Sequence, residues 1–187
     1  MTPTIARSIK HPLALIATAI LLGACADGSP VAPDASSVMS ARVDAVQSAD
    51  NANPIATIRR VTARYHDLDA ALADGFAFLH GCEVRGDEGP VGELYVHFDR
   101  LLDGVIDPAS PDALLYQPTE NGSRKLIGVE LAIPYPMWTE SQPPQFMGAE
   151  FQPEDEFGVW GLHVWAWNRN PEGMFAESNP NVSCGEE

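Results

Sequence analysis

The chain has 187 residues, with 26 acidic and 11 basic side chains and a formal net charge of -15. Without its first 24 residues, which carry Arg7 and Lys10 and no acidic side chain, the net charge becomes -17. Nucleic acids and anionic bilayer surfaces repel such a protein, so nucleic-acid binding is disfavoured. With 45% hydrophobic and 20% charged residues, the composition predicts one globular domain.

The amino terminus has the layout of a secretory signal peptide. Arg7 and Lys10 precede an apolar run of 13 residues, from Pro12 to Ala24, which ends in small side chains. At about 1.5 Å per residue this run is too short to cross roughly 30 Å of hydrocarbon. It ends in Leu22-Gly23-Ala24-Cys25, which resembles the bacterial lipobox, where the cysteine is acylated. The sequence therefore predicts a signal peptide over residues 1–24 and a lipid on Cys25, with ordinary signal-peptidase cleavage as the alternative.

The two other cysteines, Cys82 and Cys184, would then reach an oxidising compartment, where disulfides persist. We predict that they pair with each other. Ligation of a soft metal is disfavoured because neither has a second cysteine at short spacing. The protein is thus expected to be exported and held at the bacterial cell envelope, with the membrane as a partner through its lipid.

The rest of the chain divides into a tether and one domain. Residues 25–53 are rich in Ala, Ser, Asp and Pro, which predicts a flexible tether before a domain over residues 54–187. From Ile55 to Leu72 apolar side chains recur every three or four residues, and Gly75 follows. This period predicts one amphipathic helix of about five turns.

After the helix, the apolar pattern changes to the alternation of strands. Residues 93–98 alternate, and the runs 113–117 and 124–133 flank Asn121-Gly122, which predicts a hairpin. Residues 159–167 form another predicted strand, and the proline-rich segment 134–158 is expected to be irregular. The expected fold is α+β, with the helix packed on a curved, mainly antiparallel sheet or small β-barrel.

Three predicted strands each carry one titratable group among apolar neighbours: His97, Glu130 and His163. A buried carboxylate needs a proton, a cation or hydrogen-bond donors. Two histidines and one carboxylate are a known ligand set for zinc and for non-haem iron. We therefore expect a site for a divalent metal, zinc or copper rather than iron, or for a small ligand. The alternatives are a structural ion pair that fixes strand register and metal-free acid–base catalysis.

Neighbouring residues favour a pocket at this place. Gly128 and Gly161 thin two of the strands, which lets a ligand or another backbone approach closely. Three aromatic side chains share strand faces with the histidines, as the lining of a pocket would require. They are Tyr95, Trp165 and Trp167.

Several blocks of the chain resemble a family of bacterial exported proteins that has no assigned activity. The blocks are residues 91–107, 111–116, 128–130, 162–167 and 179–184, and the resemblance covers about residues 60 to 187. Such proteins tend to have Gly-Met-Gly where this chain has Gly89-Pro90-Val91-Gly92, and an aromatic residue in place of Leu131. The resemblance implies export but supplies no catalytic residue and no cofactor.

Three functions are compatible with these patterns. The first is a lipid-anchored binding module that holds a metal ion or small ligand at His97, Glu130 and His163. The second is a metal-dependent envelope enzyme with an open coordination position and residues 134–158 as a lid. The third is a structural or interaction lipoprotein with no active site.

Overall fold

The computed structural model describes residues 53–85 and 89–185. The predicted signal peptide, most of the tether and Cys25 lie outside the described residues. No helix in the described part of the chain is both long enough and apolar enough to span a membrane.

The predicted five-turn helix is interrupted. Helix α1 (Pro54–Thr62) is capped by the Asn53 side chain, which accepts a hydrogen bond from Ala56 N at 3.0 Å. A 3-10 turn over residues 63–66 follows, and α2 (Leu68–Ala73) starts afresh because Asp67 is extended and caps it. The buried hydroxyl of Tyr116 donates to the carbonyl of Tyr65 at 2.6 Å, so the sheet contacts the backbone where the helix breaks. A continuous helix is therefore the wrong prediction.

Six strands form a curled antiparallel half-barrel sheet, which confirms the predicted α+β class. In chain order they are β1 (Ala77–Arg85), β2 (Gly89–Val96), β3 (Ala113–Pro118), β4 (Arg124–Pro134), β7 (Gln152–Glu154) and β8 (Val159–Val164). The two strands between β4 and β7 in the chain do not belong to this sheet. Across the sheet the order is β1-β2-β3-β4-β8-β7. A short helix α3 (Phe98–Leu101) follows β2, and a separate two-stranded ribbon joins β5 (Gln145–Phe146) to β6 (Ala149–Glu150).

The sheet differs from the sequence prediction at β1 and at the end of β2. β1 was not predicted, because the apolar residues of its segment do not alternate. β2 ends at Val96, so His97 and Phe98 leave the strand and begin α3. The predicted β3–β4 hairpin is confirmed, with Gly122 at a φ of 81° and its N–H donating to the Thr119 carbonyl at 2.9 Å.

Helices cover one face of the sheet, here called the helix face. Its core includes Ile58 of α1 and Tyr65, packed against Leu114, Val129 and other inward side chains of the sheet. Below the helices, the carboxylate of Asp74 accepts hydrogen bonds from Tyr65, Arg64 and Arg100, which ties the helical segment to α3. The hydrogen bond from Tyr65, with both guanidinium groups, lowers the pKa of Asp74.

The carboxyl-terminal segment, residues 174–184, covers part of the opposite face. Val182 packs there with Leu115, Ile127 and Trp165 in a second, smaller core. Backbone hydrogen bonds hold the segment, since Asn179 N donates to Pro90 O at 3.0 Å. The predicted disulfide between Cys82 and Cys184 is confirmed, and it joins the end of this segment to β1.

The disulfide links positions 102 residues apart, so it removes much chain entropy from the unfolded state. We expect the double variant Cys82→Ser/Cys184→Ser to lose about 4–5 kcal/mol of unfolding free energy on the chain-entropy model. Denaturant unfolding of the oxidised wild type and of the variant measures this loss. Equal unfolding midpoints would show that the backbone hydrogen bonds alone hold the carboxyl-terminal segment.

Candidate functional site

Glu130 lies near the middle of β4, on the face opposite the helices. Its chain neighbours Val129 and Leu131 belong to the core of the helix face, so alternation along the strand directs Glu130 to the other side. His163 is its direct cross-strand partner on β8. Both side chains are buried, with 5% and 4% of their surfaces exposed. The structure therefore brings together two of the three polar groups that the sequence indicated.

Glu130 and His163 line a small cavity together with two polar side chains that sequence analysis did not select. His80 enters from β1, where it pairs with Leu94, and Glu154 enters from β7. The cavity measures about 10 Å³, room for roughly one water molecule. None of these four polar side chains lacks a partner. Two imidazoles and two carboxyl groups from four different strands thus surround a space of atomic size.

Gly161 creates the space for the two carboxyl groups. A Cβ at this position would lie 2.7 Å from Oε1 of Glu130 and 3.0 Å from Cγ of Glu154. Both acidic side chains therefore pass over the same point of β8. This agrees with the expectation that a glycine here admits another group, and any larger residue would displace Glu130.

Backbone carbonyls fix the orientation of both imidazoles. His163 Nδ1 lies 2.6 Å from the Glu177 carbonyl, and His80 Nδ1 lies 2.9 Å from the Gly81 carbonyl. A carbonyl only accepts, so Nδ1 carries the proton in each ring and Nε2 holds the lone pair of the neutral form. Metal-binding histidines commonly have this arrangement, in which an outer carbonyl sets the tautomer.

His97 lies apart from this group. Its Nε2 donates to the Asp74 carbonyl at 3.0 Å, and its ring packs edge-on against Phe76, with 5.3 Å between ring centroids. Phe76 belongs to the core of the helix face. His97 therefore contacts the helical side, and the residues lining the cavity do not include it.

The three predicted pocket aromatics also separate. Trp165 lies beside His163, with 5.8 Å between ring centroids, and its Nε1 donates to the Ala176 carbonyl at 2.7 Å. Tyr95 is buried in the core of the helix face. Trp167 donates to Thr62 Oγ1 at 3.0 Å on that same side. Trp165 thus supports the carboxyl-terminal segment, and none of the three is among the cavity-lining residues.

A second acidic group, Asp112, lies just before β3 and is only 1% exposed. Its Oδ2 accepts a hydrogen bond from Ala132 N at 2.8 Å, beyond the point where β3 stops pairing with β4. Its Oδ1 is buried and has no hydrogen-bond partner among the described residues. Burial raises the pKa of Asp112 to about 7. In the sequence it follows a proline and is typical of a turn, so nothing there marked it as buried.

The cavity is not a preformed metal site. Within residues 53–85 and 89–185, no three histidine, cysteine, aspartate or glutamate side chains are grouped so that they could hold a metal ion. No protein-family model, curated protein or solved structure matches the chain significantly.

Asp112 makes the stability of the fold depend on pH. Its pKa rises from 3.8 to about 7 on folding, so the folded state retains a proton that the unfolded state releases in this range. The free energy of unfolding is expected to fall by up to roughly 4 kcal/mol as pH rises through this window. Asp112→Asn removes this titration and should flatten the dependence. Denaturant midpoints of both proteins across this window measure it, and parallel pH curves would contradict the assignment.

Proposed function

We propose that this protein is a lipid-anchored module of the bacterial cell envelope that binds one divalent metal ion in the cavity at Glu130. Glu130 and His163 keep the ligand roles expected from the sequence. His80 and Glu154 replace His97 in the proposed ligand set. The carboxyl groups of Glu130 and Glu154 rotate toward the imidazoles when the ion binds.

This proposal rests on one observation: the cavity is about the size of a single atom, and imidazole and carboxyl groups that can bind a metal line it. A cavity of about 10 Å³ is too small for an organic ligand, since ligand pockets usually measure about 300 Å³ or more. Imidazole nitrogen and carboxylate oxygen are ordinary zinc ligands, and imidazole also suits copper. Two carboxyl groups directed over one glycine also favour a positively charged occupant.

The position of the proposed site supports binding rather than catalysis. Glu130 and His163 are almost fully buried, and the carboxyl-terminal segment covers the adjoining part of the same face. Glu154 and Phe157, which line the cavity, belong to the proline-rich segment 134–158. A closed shell of protein ligands is typical of structural or storage sites, whereas catalytic zinc retains an open position.

The metal proposal predicts distinct effects for two classes of variant. The wild type, purified without an affinity tag and treated with chelator, should bind zinc at one equivalent in calorimetry. Glu130→Gln should weaken zinc binding by at least about 100-fold, because losing a direct ligand costs more than losing an outer-shell partner. Gly161→Ala should weaken it too, since its Cβ displaces the Glu130 carboxylate.

His97→Ala is the matched control, because it removes an imidazole on the helix face and outside the cavity. It should bind zinc as the wild type does, with circular dichroism showing that all variants are folded. Loss of zinc binding in His97→Ala as well as in Glu130→Gln would restore the three-residue site expected from the sequence. No zinc or copper binding by the folded wild type would leave Glu130 and His163 as a structural cross-strand pair.

The anchor is tested separately, because it depends on residues outside the described part of the chain. Cys25→Ser should move the protein from the membrane fraction to the soluble fraction of an expressing bacterium. Intact mass should show acyl chains on the wild type and none on the variant. A wild type of unmodified mass in the soluble fraction would point to ordinary signal-peptidase cleavage.

A further inference from the structure

A second cavity, here called the Asp112 cavity, adjoins the one at Glu130 on the same face of the sheet. The two share Leu94, Glu130 and Phe157. The Asp112 cavity measures about 20 Å³, and most of the other side chains around it are apolar. The proposed metal ligands His80, Glu154 and His163 do not line it, so its chemistry is a separate question.

Asp112 lines this cavity and has one buried oxygen in need of a partner. The side chain is 1% exposed, and Ala132 N satisfies only its Oδ2. No donor reaches Oδ1 from within the described residues. Buried oxygens in native proteins nearly always have a partner, and each exception requires an explanation. A ligand that supplies a donor inside the cavity would complete the hydrogen bonding of Asp112.

We infer that the Asp112 cavity binds the ammonium head group of a primary amine, with Oδ1 of Asp112 as its acceptor. The head group is about the size of a water molecule and carries three donors, so it fits a cavity of this volume. Leu79, which is 37% exposed, and the half-buried Leu101 form an apolar path from the cavity to the protein surface, along which a short alkyl chain can lie.

The surrounding charges favour a cation over a neutral donor. Glu130 lines the same cavity, and the charge of Asp103 acts on Asp112. Arg100 is the opposing cation, but its guanidinium bonds to Asp74 and to the Pro111 carbonyl. The net charge of the whole chain is -15, which attracts cations to the surface as well.

The titration of Asp112 gives the proposed site a pH signature. A bound ammonium stabilises the carboxylate, and the pKa of the free group is about 7. The carboxylate fraction therefore rises about tenfold from one pH unit below this value to one unit above it. Amine affinity should rise by about the same factor over that range.

The test is a methyl NMR titration of the wild-type protein with n-butylammonium chloride, using n-butanol as the neutral isostere. We expect saturable shifts at Leu79, Leu94, Val96 and Leu101, with n-butanol at least about tenfold weaker. Asp112→Asn retains an acceptor for Ala132 N but lacks the charge, and it should lose at least about tenfold in amine affinity. It should still bind zinc, which separates this site from the proposed metal site.

A second variant guards against misfolding of Asp112→Asn. Ala113→Val adds two methyl groups to the cavity wall, suits a strand position and should also abolish the amine-dependent shifts. Equal binding of butanol and butylammonium, or full amine affinity in both variants, would overturn the inference. Absence of saturable shifts in the wild type would leave the cavity as the site of an ordered water only.

Discussion

The structure depends on covering both faces of β4. Antiparallel sheets commonly leave one face to water, yet every residue from Leu126 to Ile133 is buried. The helices supply the cover on one side with a large apolar core. On the other side the cover comes from loop residues and the carboxyl-terminal segment, whose apolar contribution to the smaller core is Val182 alone. Because the carboxyl-terminal segment buries little apolar area, the disulfide and several backbone hydrogen bonds hold it on the sheet.

This double cover buries the polar side chains of the candidate site. Glu130 and Asp112 would be ordinary surface acids if the second face were open to water. Under the cover they lie in a medium where a charge without a partner is costly, and burial raises the pKa of Asp112 to about 7. The cover also orients the site, because the Glu177 carbonyl that fixes His163 belongs to the carboxyl-terminal segment. Attachment of the carboxyl-terminal segment therefore also fixes the orientation of the His163 ring.

The local patterns of the sequence predicted much of the fold. The hairpin at Asn121-Gly122 and the disulfide follow from turn chemistry and from the count of cysteines, and both are present. The break at Asp67 escaped prediction because the apolar period continues through it, and a long-range hydrogen bond from Tyr116 accompanies the interruption. β1 escaped because its segment, which includes His80, has no alternation of apolar residues. Both features depend on contacts with distant parts of the chain.

The candidate site shows how far strand register limits such predictions. Across four strands the cross-strand neighbours are Val96, Ala113, Glu130 and His163. The β2 residue in this row is therefore Val96, and His97 is one residue further along the chain. His97 follows the end of the strand in extended backbone, with φ -100° and ψ 96°, so its imidazole points to the face opposite Val96, toward the helices. Alternation in the sequence shows which residues of one strand share a face, but only pairing between strands shows which faces coincide. That is why two of the three polar groups meet, and why the additional imidazole at the cavity comes from a strand that the sequence did not reveal.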